Sequence, residues 1–220
     1  MITVLANIVI YCKGGLYLND TQEKILSCAM DEFLEKGFLN ASLRHIVKKA
    51  GVTTGAFYRY YDSKEILFEA LVDEHAQHIL DLYDQAVDNL EKLSGNNQTR
   101  QMADITDDCI MLMLDYVYDH YDAFKLLLQC SKGTQYDQFT HQLVMREVKS
   151  TQNYIKTLND MGHHMNPISD NLIHIIASGM FSSMFEVVIH DMPLSDAKEY
   201  VKQLRRFYSA GWEELLGVLF

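Results

Sequence analysis

Apolar residues recur along this chain at helical spacing, broken at regular points by glycine and by capping side chains. After possible capping oxygens at Asn19, Asp20 and Thr21, they fall at Ile25, Cys28, Ala29, Phe33 and Leu34 until Gly37 stops the run, which predicts a helix over 20–36. Ser42 opens a second start ahead of Leu43, Ile46, Val47 and Ala50, and Gly51 closes a helix of about two turns. Thr53 can cap a third short helix carrying Ala56, Phe57 and Tyr60, finishing near Tyr61-Asp62. Asp62 and Glu65, three apart, have the spacing of a capping box for a fourth helix through Ile66, Leu67, Ala70 and Leu71, continuing to Leu90.

The polar run Ser94-Gly95-Asn96-Asn97-Gln98 reads as a loop. Ile105, Cys109, Leu112, Met113, Tyr116 and Val117 outline the next helix, and a shorter one spans 121–130 before Gly133. A long helix is predicted over 137–161, then two more over 168–189 and 195–217, separated by His190-Asp191-Met192-Pro193. The pattern is that of an all-α protein. Only residues 2–12, ITVLANIVIYC, stand apart. They are too short to cross a bilayer and lack the basic start of a secretory signal. Their β-branched content fits a short strand or an extended arm, and a start site read too far upstream would give the same stretch.

Composition supports this reading. The 220 residues are 48% apolar and 22% charged, enough for a sizeable core, and two prolines leave long runs open to helix. Cys12, Cys28, Cys109 and Cys130 form no CxxC pair, so neither a disulfide framework nor a structural zinc site is indicated, and a reducing, cytoplasmic setting suits them. His75 with His78, or His163 with His164, lacks a third ligand at local spacing, and His120 with His174 could meet only from distant helices. No metal or other cofactor is expected. HExxH, P-loop, GxGxxG and GxSxG motifs are absent from the sequence, which gives no basis for an enzyme.

The net charge of -11 argues at first against nucleic acid. Its location reverses that argument. Residues 1–72 hold eight basic and eight acidic side chains, so the whole deficit lies beyond them, and residues 40–68 carry five basic groups against Asp62 and Glu65 alone. Two short helices meeting at Ala50-Gly51-Val52-Thr53 have the dimensions of a helix-turn-helix. On the second, Thr54, Gly55, Tyr58 and Arg59 are the expected exposed set, with Ala56 and Phe57 facing inward. Gly55 costs about 1 kcal/mol against alanine inside a helix, which makes sense if the backbone must approach DNA. A plain helical hairpin, with Gly55 a weak spot and Arg59 salt-bridged over the second helix, is the alternative, and a helical interaction protein is the rival from another class.

From 21 to 71 the sequence TQEKILSCAMDEFLEKGFLNASLRHIVKKAGVTTGAFYRYYDSKEILFEAL resembles the TetR family of bacterial transcriptional regulators. The likeness runs in order through Phe33 and Gly37-Phe38, Ser42-Leu43-Arg44-His45-Ile46, Ala50-Gly51-Val52, Phe57-Tyr58-Arg59-Tyr60-Tyr61 and Ser63-Lys64-Glu65. It implies a three-helix DNA-binding domain over 19–66, after an apolar extension over 1–18. A long fourth helix then leads into a helical effector-binding and dimerisation domain over 67–220. The implied DNA contacts are Ser42, Arg44, Thr53, Thr54, Gly55, Tyr58, Arg59 and Lys64, with Tyr58 and Lys64 on phosphate and Lys48 in support. The basic arm that precedes the first helix in many relatives is replaced here by apolar residues and Lys13.

The resemblance also implies a homodimer through the last two helices, where Ile176, Gly179, Met180, Ser183 and Val187 face Leu204, Phe207, Tyr208, Gly211 and Trp212. Burial of these stripes in the monomer core is the alternative. It further implies a pocket for an apolar or aromatic small molecule, with Tyr83, Met113, Tyr116, Tyr121, Phe124, Leu127, His141, Met145, Phe181 and Phe185 as candidate lining. The function expected is a dimeric repressor that binds double-stranded operator DNA and leaves it on binding that molecule, with no membrane partner. An activator, or a repressor without an effector, is the alternative.

Overall fold

In the computed structural model, which describes residues 20–93, 95–163, 165 and 167–217, the first helix carries the break that its glycine implies. α1 (Asp20–Asn40) is interrupted at Gly37, whose φ of 69° and ψ of 162° are not helical, and the chain continues helically only to Asn40. α2 (Leu43–Lys49) is capped by Ser42 and α3 (Thr54–Phe57) by Thr53, each hydroxyl accepting from an amide three residues on. The third helix is thus shorter than expected. Beyond Phe57 the chain tightens, with the Arg59 amide donating to the Ala56 carbonyl and that of Tyr60 to Phe57.

α4 (Lys64–Glu91) corrects one expectation. Its cap is Ser63, extended at φ -156° and accepting from the Ile66 amide, so Asp62 and Glu65 do not form the capping box. At 28 residues it spans about 42 Å, long enough to reach from the first three helices far into the body. α5 (Gly95–Asp119) begins inside the stretch expected to be a loop, and pairs along α4.

α6 (Tyr121–Lys125) runs into a π-helical segment (Leu126–Cys130), then a 3₁₀ turn (Gln135–Gln138) leads to α7 (Phe139–Asp160). α8 (Asp170–Ile189), capped by Ser169, packs along α7, and α9 (Leu194–Leu216) lies against α8 and α5 before a left-handed Gly217. Among the described residues there is no strand. The strand or arm considered for 2–12, the Asn19 cap, Cys12 and His164 lie outside the described residues.

A cluster of rings joins the first three helices to the body. Phe68 of α4 meets Phe33 and Phe38 of α1 edge-on at 5.2 and 5.4 Å, and Tyr136 stands 6.2 Å beyond it. α1 also packs on the π-helical segment, and a Cβ on Gly133, at φ 88°, would stand 2.5 Å from Leu39. The helix-turn-helix therefore touches the body at two places, through α4 and through the end of α1.

Candidate nucleic-acid interface and ligand cavity

The turn between α2 and α3 is closed by its backbone. Gly51 adopts φ 69°, its amide donates to the Lys48 carbonyl and that of Val52 to Val47, the paired bonds of a Schellman ending. Phe57 and Ile46 are fully buried beneath, and Ala56 is half-buried. This leaves Ser42, Arg44, Thr53, Thr54, Gly55, Tyr58 and Arg59 exposed, Tyr58 at 51%. A Cβ on Gly55 would have nothing within 4 Å, so nothing inside the protein requires glycine there.

Of the five basic side chains in this region, two are engaged within the protein. Lys49 pairs with Asp31 at 2.9 Å. Lys64 is half-buried and donates to the carbonyls of Phe38 at 2.7 Å and Ala41 at 3.2 Å, so its ammonium is directed at the α1–α2 corner and not outward to phosphate. Arg44, Lys48 and Arg59 are exposed and make no ion pair among the described residues, so the salt bridge considered for Arg59 does not form.

One buried acid escaped the sequence reading. Glu32 of α1 is 2% exposed and accepts from Lys36 at 3.0 Å and from the Ser42 amide at 3.1 Å, and it hydrogen-bonds His45 Nδ1. Burial alone would raise its carboxyl, but the bonds from His45, Ser42 and Lys36 outweigh it and hold the group at about 2. This carboxylate fixes the start of α2 against α1. Its sequence sign is faint: an acid one residue before Phe33 on an otherwise apolar face.

Between α4, α5, α7, α8 and α9 lies a cavity of about 200 Å³. Of the expected lining, Tyr83, Met113 and Phe181 face it, and Phe185 lines only a smaller void of about 50 Å³ next to it. The other six do not. His141 and Met145 sit on the outer face of α7, Met145 at 48% exposure, because the inward register of that helix runs through Leu143, Glu147 and Thr151. Phe124 and Leu127 are buried where α6 and the π-helical segment meet the body core. Tyr121 donates to the Val188 carbonyl at 3.2 Å, bracing the end of α8, and Tyr116 stacks on His78 at 4.0 Å.

The cavity takes its place from residues expected at a dimer interface. Met180, Tyr208 and Trp212 line it, while Val187 is buried in the core and borders the smaller void. Leu204 is half-buried, as are Ile176, Gly179 and Ser183, and only Phe207 (72%) and Gly211 are exposed. Next to them on α8, Ile175 is 66% exposed, with Leu172 and Ile189 also open. α8 has the length and mean hydropathy (1.8) of a membrane-crossing helix, with 28% of its apolar window buried.

Glu147 and Arg205 were also missed. Both line the cavity, and Arg205 is ion-paired with Asp107. Glu147 interrupts the stripe of Leu143, Val144 and Val148, which was the available signal. Burial pushes its carboxyl up, and the Tyr83 hydroxyl donates to it at 2.5 Å. His75, His78 and His120 gather around Tyr116, His75 stacking on His120 at 4.4 Å, but among the described residues no group of three His, Cys, Asp or Glu has metal-binding geometry.

The family described as bacterial regulatory proteins, tetR family, matches residues 25–71, the span from α1 to the first turns of α4. An uncharacterized HTH-type transcriptional regulator of Bacillus subtilis (strain 168), YvdT, is 46% identical over 59 residues, 27% of this chain and 30% of that protein, so the chain spans less than a third of that relative's length. An uncharacterized HTH-type regulator of Haemophilus influenzae is 23% identical over 179 residues, 81% of this chain and 80% of that one. In fold, a TerR/AcrR-family transcriptional regulator from Aquifex aeolicus VF5 superimposes with a TM-score of 0.55 at 20% identity, covering 85% of this chain and 99% of that one. With its turn and its caps on the page, residues 25–71 match the N-terminal segment of the tetR family of bacterial regulatory proteins, and the chain as a whole shares the fold of a solved regulator described as of the TerR/AcrR family.

Proposed function

We propose that the chain is a cytoplasmic transcriptional regulator that binds operator DNA as a homodimer and represses until a small molecule occupies the cavity. One observation carries the DNA-binding part. Arg44 and Lys48 on α2 and Arg59 just past the end of α3 stand exposed and make no ion pair among the described residues, while the negative charge belongs to the body beyond residue 72. Together with Ser42, Thr53, Thr54, Gly55 and Tyr58 they form a surface of mostly backbone-positioning contacts, with base discrimination resting on Thr54, Arg59 and DNA shape. Residues 19–66 make up the DNA-binding unit and 67–220 the regulatory body.

A single recognition helix reads roughly four or five base pairs, so two copies are needed, spaced by about one helical turn or a multiple. The exposed apolar residues Leu172, Ile175 and Phe207 on α8 and α9 favour a second copy as the cover for this face. Coupling rests on α4, which carries Tyr83, Ala86, Val87 and Leu90 in the cavity wall and Lys64 at the α1–α2 corner. A ligand that favours one α4 position shifts the spacing of the two recognition helices, and about 1–3 kcal/mol of coupling suffices for a usable switch.

The test is selection of bound fragments from genomic DNA, followed by affinity measured against salt. A recurring two-half-site fragment is expected, with log affinity falling steeply with log salt and a shallower slope for Arg44→Ala. Failure to enrich any fragment, or salt-independent association, overturns the reading.

A further inference from the structure

We infer that the cavity takes a small lipophilic amine, a protonated organic cation carrying one ring, with its nitrogen against the Glu147 carboxylate. This rests on the reading of the cavity as the effector site and goes beyond it by naming the chemistry.

Three observations support the assignment. Among the described residues Glu147 is the only acid in the lining, and the groups that act on it are two hydroxyls, Tyr83 at 2.5 Å and Thr151 at 3.4 Å, with no basic side chain among them. The cavity's one basic group, Arg205, is held by Asp107. Ionising this carboxyl in apolar surroundings without a cation is costly, so a cationic ligand is the partner that lets it ionise. The remaining wall supplies the rings of Tyr83, Phe181 and Trp212 and the thioethers of four methionines, surfaces that hold an aromatic body and favour a cation over their faces. For size, a dry cavity of about 150 Å³ accepts benzene, so about 200 Å³ has room for a ring and a short amine arm.

Proton balance follows. Burial favours the neutral carboxyl in the empty protein. Where the empty cavity holds Glu147 protonated, an ammonium ion arriving there converts it to carboxylate and releases that proton to solvent, so affinity rises with pH until Glu147 is ionised without ligand. Around it stand Tyr83 on α4, Cys109 on α5, Tyr154 on α7 and Arg205 and Tyr208 on α9, while α8 offers Met180, Phe181 and Met184, which do not titrate. Burial raises Cys109 to about 11 and raises Tyr83 as well, so neither competes for the proton near neutrality.

Calorimetry with 2-phenylethylamine, 2-phenylethanol and phenylacetate, matched in shape and differing in charge, tests this on the full chain at pH 6 and pH 8. The amine is expected to bind about tenfold or more tighter than the alcohol, and tighter at pH 8 than at pH 6. Glu147→Gln should erase both differences while its thermal midpoint and its affinity for the alcohol stay as in the parent, and Tyr83→Phe should keep the preference for the amine. Equal binding of amine and alcohol, a preference for phenylacetate, no binding of any of the three, or an unchanged Glu147→Gln variant overturns the inference. The effector reading is judged separately on the selected DNA fragment. Release by the alcohol or by phenylacetate upholds that reading and sinks the cation, whereas an amine bound through Glu147 that leaves DNA affinity unchanged upholds the cation site and sinks the effector role.

Discussion

The Lys64 ammonium donates to the Phe38 carbonyl at 2.7 Å and stands 4.4 Å from the centre of the Phe38 ring. With the Ala41 carbonyl at 3.2 Å as a second acceptor, the first residue of α4 is tied to the corner where α1 passes to α2. Movement of α4 must then carry that corner with it. Lys64→Met is expected to cost about 1–3 kcal/mol of stability by leaving buried carbonyls unpaired, and to weaken DNA binding with the salt slope unchanged. Thermal unfolding and a salt titration check this. A slope smaller by about one at unchanged stability would make Lys64 a phosphate ligand instead.

Gly55 separates stability from function. No internal atom lies within 4 Å of a Cβ built there, and its backbone is not in the left-handed region. Gly55→Ala should therefore stabilise the chain by up to about 1 kcal/mol, since alanine is the better helix former, while weakening DNA binding through the methyl's intrusion. Gly51→Ala is the contrast. At φ 69° it should lose about 1–2 kcal/mol through backbone strain. Chemical denaturation of both variants, set beside fragment affinity, decides the matter, and a Gly55→Ala protein that binds DNA as tightly as the parent removes Gly55 from the interface.

The caps and the turn were legible in the sequence because they depend on neighbours in the chain. Ser42, Thr53 and Gly51 act within three or four residues of themselves, and each does what its type and spacing imply. The capping box failed because Ser63 offers the same hydroxyl chemistry one residue later and wins the amide. Helical stripes identified which residues are apolar but not which neighbour each meets. Met180, Tyr208 and Trp212, expected at an interface, line a cavity within the chain, and Tyr121, expected in the cavity wall, braces α8. Glu32, Glu147 and Lys64 draw their roles from partners 10 to 64 residues away in most cases, which no local pattern encodes.

Acid should loosen the α1–α2 contact. The Glu32 carboxyl sits at about 2 in the folded chain, below the ordinary carboxylate value of 4.5. Its contribution is then fully present above that ordinary value and is lost as pH falls from there through 2. Glu32→Gln should flatten this part of the stability profile and cost about 1–3 kcal/mol near neutral pH, since the Ser42 amide, Lys36 and His45 keep a poorer partner. Denaturation midpoints measured from pH 7 down to pH 3 test it. Parallel profiles for parent and variant would mean that the contact does not control the acid limb.

Phe207 and Trp212 lie on the same helix but face different surroundings, which allows self-association and cavity occupancy to be separated. Phe207 is 72% exposed, as Ile175 is on α8 at 66%, whereas Trp212 is half-buried in the cavity wall. A charge at Phe207 opposes apolar contact with a second copy at little cost to the monomer. Removing the indole of Trp212 enlarges the cavity and costs about 2–4 kcal/mol in lost packing. Phe207→Glu is therefore expected to sediment as a monomer, keep its thermal midpoint and bind a two-half-site fragment at least about tenfold more weakly. Trp212→Ala should sediment like the parent, unfold earlier and bind small molecules differently. Sedimentation velocity with a melting curve for each variant is the measurement. A Phe207→Glu protein of parental size would move the interface away from this face, and a monomeric Trp212→Ala would return the tryptophan to the dimer contact that its helical stripe first implied.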